Sequence, residues 1–216
     1  MMKPLDYQYQ SAWQYTTPSK QQSPIDIKKT ALKAGEADEL VFLPASPAIK
    51  LDPRLSGLQF MAKGHFLLNG QDWEVERFHF HDGAEHTFDG QRYDMEGHIV
   101  TQRGKETMVI AFMGQVDLAA KSLDLPDLFE GQAETFDLAE FLPVTKKSYT
   151  YTGTLTTPPL MQGVRWYILA EPLKITAADL AAVHANYPAN HRQEQPIMGR
   201  TVVEHALNLV VKEAAD

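Results

Sequence analysis

The sequence predicts a mostly β protein folded as one domain. Runs rich in β-branched and aromatic residues recur at Leu40–Leu43, Trp73–Asp82, Met95–Val100, Thr107–Met113 and Val164–Leu169, the composition that suits a pleated, half-buried surface. Asn69-Gly70 and Asp89-Gly90 are turn dipeptides of the kind that join antiparallel strands. No repeat, charge block or Gly/Ser linker divides the 216 residues, so a single domain over 1–216 is expected.

Taken in order, Leu43 to Leu58 contains prolines and reads as a surface loop between strands. The Asp89-Gly90 turn lies between the second and third strand runs. One helix is signalled late in the chain: Thr176 is placed as N-cap and Asp179 as its capping-box partner. Leu180, Val183 and Tyr187 follow at helical spacing before Pro188. This helix is expected to be scaffold, remote from the chemistry. The tail Glu204–Ala214 fits a helix or a strand equally well.

Composition narrows the function. Hydrophobic residues at 44% and charged residues at 22% describe an ordinary globular domain, not a disordered or coiled-coil chain. A formal charge of −8 without a basic block argues against nucleic acid or anionic lipid as partner and favours a small molecule. With no cysteine, any metal must sit on His, Asp or Glu. The N-terminal stretch has neither a basic segment nor an apolar run, and no later run could span a membrane. A cytoplasmic protein without signal peptide is therefore expected.

The segment ERFHFHDGAEHTFDGQRYDMEGHIV concentrates histidine. On a strand, His79 and His81 point to one face while Phe78 and Phe80 point to the other, so the two imidazoles can chelate one ion. An antiparallel return through the Asp89-Gly90 turn would bring His98 opposite the pair. Three neutral imidazoles with an open fourth position suit a catalytic zinc ion. His86 competes for the third place, and spacing alone does not separate it from His98.

That segment, with QSPIDI at Gln22–Ile27, YTGTLTTPPL at Tyr151–Leu160 and NHRQEQPIMGR at Asn190–Arg200, resembles the α-class carbonic anhydrases. The four motifs occur in the family's order from about residue 7 to about 200. The resemblance implies a large, twisted, mostly antiparallel central sheet with a few short peripheral helices and a conical cavity holding Zn2+. It also implies reversible hydration of carbon dioxide to bicarbonate and a proton, with sulfonamides and anions as inhibitors.

Carried over position by position, the resemblance makes His79, His81 and His98 the zinc ligands and His86 a buried structural histidine. Glu85 matches the acid that accepts a hydrogen bond from the threonine beside the metal, here Thr156, which thereby orients the nucleophile. Val100, Val109, Leu155, Thr157, Val164 and Trp166 match the substrate pocket. Glu96 and the backbone carbonyl of Asn190 match the groups that fix the tautomers of His98 and His81. Gln22, Tyr7 and Tyr151 match members of the surrounding polar network.

Two departures matter. Arg77 stands where many members have a glutamine that accepts from the first ligand, and a guanidinium cannot accept; either His79 finds a carbonyl or water instead, or Arg77 pairs with an acid such as Glu74 or Glu76 and the geometry at the metal changes. His65, after Gly64, is the candidate proton shuttle, suited by an imidazole pKa near about 6.5, although it lies much nearer His79 than is usual. The enzyme alternative is a metal-dependent cupin, in which Glu85 would itself be a ligand and the metal iron or manganese. The non-enzymatic alternative is a binding module on the anhydrase fold.

Overall fold

A computed structural model describes residues 5–13, 19–45, 50–54, 57–131 and 136–213. Its strands in chain order are β1 (Asp26–Ile27), β2 (Lys33–Ala34), β3 (Asp38–Pro44), β4 (Lys50–Arg54), β5 (Gly57–Met61), β6 (Gly64–Leu68), β7 (Gln71–Asp82) and β8 (Thr87–Phe88). They continue as β9 (Gln91–Arg92), β10 (Met95–Arg103), β11 (Glu106–Val116), β12 (Lys147–Thr154), β13 (Gln162–Leu169), β14 (Leu173–Ile175) and β15 (Val203–Val211). Two α-helices are described, α1 (Leu125–Glu130) and α2 (Ala177–Asn186).

The main sheet runs β10-β11-β13-β12-β15-β3-β6-β7, and β7 pairs back onto β10, so these strands close on themselves. Pairing is mostly antiparallel, with parallel contacts of β11 to β13 and of β15 to β3. β5 also joins β7, opposite Phe78 and Arg77, and carries β4 on its outer edge. All five strand runs read from the sequence are present with extended ends. The open tail is settled as strand β15, whose residues Leu207–Val211 pair with β3.

Alternation along the strands builds two cores. Phe78 and Phe80 of β7, Ile99 of β10, and Ile110 and Phe112 of β11 enter one cluster, where Phe60 stacks on Phe78 at 4.9 Å. Val100, Val109, Ala111, Val164 and Trp166 enter a second cluster on the opposite face. The histidines of β7 and β10 belong to that second face because the period of a strand is two.

Both turn dipeptides lie where expected. Asn69 and Gly70 take positive φ between β6 and β7, and Asp89 and Gly90 do so between β8 and β9, a small hairpin inside the β7–β10 connection. Thr176 caps α2 in a closed box: its hydroxyl accepts from the Asp179 N–H and its own N–H donates to the Asp179 carboxylate.

Two expectations are corrected. The stretch Leu43 to Leu58 is not a plain loop, because Lys50–Arg54 pairs with Gly57–Met61 as a β4–β5 hairpin; residues 46–49 and 55–56 lie outside the described set. Pro53 is tolerated there because β4 is an edge strand, where no ladder donor is required. Nor is α2 remote from the histidines: Nδ1 of His184 sits 2.8 Å from the Asp82 carboxylate, at the end of β7. The short α1 carries no cap signal that the sequence reading used.

Candidate metal centre

The β7–β10 ladder places His98 directly opposite His79 and Glu96 opposite His81. One ring nitrogen from each of His79, His81 and His98 lies within 4.8 Å of the others. His81 uses Nδ1 to donate to the Asn190 carbonyl at 2.9 Å. His98 uses Nε2 on the Glu96 carboxylate at 2.6 Å. The nitrogens left over, Nε2 of His81 and Nδ1 of His98, face each other at 3.1 Å.

Two imidazole nitrogens at that separation, each with its partner nitrogen already engaged, can share a proton or a metal cation. Burial pushes the pKa of His81 below its ordinary value, and burial with the neighbouring His81 and His98 pushes His79 well below it, so these rings are held neutral. Tetrahedral zinc with bonds of about 2.0–2.1 Å would separate its nitrogens by about 3.3–3.4 Å. The donor set fits zinc, with three imidazole nitrogens and no thiolate.

Asn190 holds the strand as well as the His81 ring. Its side chain donates to the Phe80 carbonyl at 2.9 Å and accepts from the Asp82 N–H at 2.7 Å, clamping β7 on both sides of His81. Glu96, wholly buried, accepts from the N–H groups of Glu85 and His86 as well as from both imidazoles. Burial raises its pKa, but His86 and His98 outweigh that and hold the carboxyl well below the usual range. His86 is thus a structural partner of Glu96, and its Nε2 meets the Tyr151 hydroxyl at 2.7 Å. Tyr151 continues to Ser23 at 2.8 Å.

A cavity of about 550 Å³ opens onto His79 and His98. Val100, Val109, Leu155, Thr156, Thr157 and Trp166 line it as expected, and the Trp166 N–H donates to the Thr154 carbonyl. The Leu155 N–H donates to Met161 and the Leu160 N–H to Thr157, which ties down the loop carrying both threonines. Val164 does not reach the cavity surface; it is fully buried in the cluster behind it.

Glu85 is buried and accepts from the Arg192 N–H at 2.7 Å through Oε1, while Oε2 has no hydrogen-bond partner among the described residues. The expected bond from Thr156 to Glu85 is thus not closed here. Oε2 is the acceptor left for it. Gln22 accepts from the buried guanidinium of Arg192, a residue the sequence reading passed over inside the Asn190–Arg200 motif. The Tyr7 hydroxyl is buried without a hydrogen-bond partner among the described residues, and burial pushes its pKa up.

His65 is corrected. β6 pairs with the Gln71–Glu74 end of β7, whereas the cavity lies at the Arg77–His81 end. The His65 ring sits 2.8 Å from Asp72 and is not among the described residues that line the cavity. Arg77 does line it and pairs with Glu76 at 2.6 Å. Nδ1 of His79 is accordingly buried with no partner among the described residues. Leu5, Asp52, Arg54 and Gln59 also line the cavity. No local signal marks the last three: Asp52 and Arg54 fall in the stretch expected to be loop, and Gln59 lies just beyond it.

A family model described as eukaryotic-type carbonic anhydrase matches residues 8–206. A carbonic anhydrase of Nostoc sp. is 28% identical over 202 residues, covering 86% of this chain and 76% of the relative. The α-carbonic anhydrase of Thermovibrio ammonificans, solved with the inhibitor sulfanilamide, superposes with TM-score 0.76 at 27% identity, over 85% of this chain and 87% of that one. The Photobacterium profundum α-carbonic anhydrase gives TM-score 0.73 at 28% identity, over 85% and 89%.

Proposed function

This chain belongs to the eukaryotic-type carbonic anhydrase family, and from that premise we propose that it catalyses reversible hydration of carbon dioxide with zinc held by His79, His81 and His98. The observation that carries this reading is the facing pair, Nε2 of His81 and Nδ1 of His98, with the third imidazole beside them at the floor of a half-apolar cavity. When bound, zinc acts as a Lewis acid that brings the pKa of water to about 7, the value known for this enzyme class, and so supplies a nucleophile at neutral pH.

The remaining work falls to the chain's own side chains. Val100, Val109, Leu155 and Trp166 offer an apolar, water-excluding surface to an apolar substrate. Oε1 of Glu85 is committed to the Arg192 N–H, so Oε2 is left to accept from the Thr156 hydroxyl. That bond turns the Thr156 lone pair toward the reacting oxygen and fixes its attack direction. Asn190 and Glu96 keep His81 and His98 in the tautomers that present Nε2 and Nδ1.

A cupin reading is not favoured, because Glu85 accepts from the Arg192 N–H and approaches His81, at 3.4 Å, on Nδ1, the nitrogen turned to the Asn190 carbonyl. Retention of three histidines with Glu85 and Thr156 speaks against a non-catalytic module. No helix among the described residues is long and apolar enough to cross a membrane. A cytoplasmic setting is supported by the cysteine-free composition.

The test is stopped-flow hydration of carbon dioxide by zinc-loaded protein, with a sulfonamide block and His98→Ala as controls. Sulfonamide-sensitive turnover lost in the variant supports the reading. Zinc uptake without turnover would favour the binding module.

A further inference from the structure

The cavity wall changes character along the sheet. In the order β4-β5-β7-β10-β11-β13, the apolar lining residues Val100, Val109 and Trp166 come from the last three strands. The histidines come from the middle two. The first three strands contribute Asp52, Arg54, Gln59 and Arg77. Two guanidinium groups thus line the cavity, each paired with one carboxylate, Arg54 with Asp52 and Arg77 with Glu76.

The placement of Arg77 follows from a bulge. Val100 pairs with Arg77 but Thr101 pairs with Val75, so Glu76 is an extra residue in that ladder. The phase of β7 slips there: Trp73 and Val75 are buried before it, Phe78 and Phe80 after it. The slip lets Arg77 point into the cavity on the His79 face, with Glu76 bonded to its guanidinium at 2.6 Å. Its side chain is only 14% exposed.

Arg54 comes from the hairpin beside it, and its Nε donates to Asp52 at 3.0 Å. Each guanidinium has five donors, and each of these carboxylates engages only one edge. Both side chains line the same cavity, so an anion held there can be met by the donors that the two carboxylates leave over.

We propose that Arg54 and Arg77 form an anion-holding wall beside the histidine centre, taking a small oxyanion or a carboxylate carried on a ligand anchored at the metal. The proposal rests on the carbonic anhydrase reading. Bicarbonate, the product of that reaction, belongs to the class.

The experiment is calorimetric titration of the zinc-loaded protein with benzenesulfonamide, with 3- and 4-carboxybenzenesulfonamide, and with the methyl esters of both acids. It is run on the unsubstituted protein, Arg54→Gln, Arg77→Gln, the double variant, and Arg77→Lys. At low salt at least one acid should bind about threefold to tenfold more tightly than its ester, the range expected of a partly exposed charge-assisted pair. That preference should fall toward one in the double variant and in high salt, and survive in Arg77→Lys. Parent sulfonamide binding with no acid preference, or with a preference that the double variant keeps, overturns the anion wall alone. Failure of benzenesulfonamide itself to bind overturns the metal reading, and the wall with it.

Discussion

Nε2 of His98 stands 2.6 Å from Oε1 of Glu96, both groups buried, on the same strand and two residues apart. Residues at that spacing share a face of the strand, so one carboxylate fixes the tautomer of the ring beside it. The same oxygen meets Nδ1 of His86 at 2.7 Å.

Glu96→Gln should therefore weaken the metal site more than the fold around it. An amide presents one acceptor oxygen in place of two and loses the charge that favours Nε2–H on His98. Zinc affinity should fall about 10- to 100-fold, as is typical when the partner of a ligand histidine is changed. Competition with a chelator measures this, and an affinity equal to that of the unsubstituted protein would remove Glu96 from the role.

His65→Ala should leave the buffer dependence of turnover where it is. The imidazole is tied to Asp72 beside β6 and the opening strand residues of β7, away from the cavity end. Proton transfer is expected to run directly to buffer, so rates should rise with buffer concentration equally in both proteins. A rate loss in the variant that imidazole buffer restores would reinstate His65 as shuttle.

Gly97 lies between Glu96 and His98, and a Cβ there would come within 2.1 Å of Cζ of Phe112 on β11. Gly97→Ala should cost on the order of 2 kcal/mol through overpacking, about 4–8 °C in melting temperature for a domain of this size. Combining it with Phe112→Leu should recover part of the loss. Thermal unfolding of the single and double variants decides the matter.

Alkaline stability should be set by buried tyrosines. Burial pushes the Tyr187, Tyr167 and Tyr151 phenols above their ordinary value. In the unfolded chain a tyrosine ionises near about pH 10. A group whose folded pKa is raised contributes stability that is complete below the unfolded value and is lost as pH rises from there toward the folded value. Melting temperature should hold up to about pH 10 and then drop. Tyr187→Phe should lose about 1 kcal/mol at neutral pH, because Tyr187 donates to the Leu58 carbonyl. It should also show a shallower alkaline decline.

Strand identity, the two hairpin turns and the capped helix were legible in the sequence because each is a local matter of periodicity, turn conformation or capping within a few residues. The His79-x-His81 face was legible for the same reason, and the ordered motifs supplied His98, Glu85 and Thr156. What escaped was the pairing of distant strands. Nothing local near Arg54 or Gln59 states that β5 docks on the Arg77 end of β7, or that β6 docks on the other end and takes His65 away from the cavity. Nor does the alternation alone foretell the bulge at Glu76 that re-aims Arg77.

Thus the sequence by itself determined which residues could bind a metal and on which face of their strands they lie. Only the tertiary structure decided which ring nitrogen each histidine presents, how the main sheet closes, and which wall of the cavity carries charge. The reason is physical: side-chain direction along a strand follows from backbone geometry within a few residues, whereas register and docking between strands depend on packing summed over segments far apart in the chain.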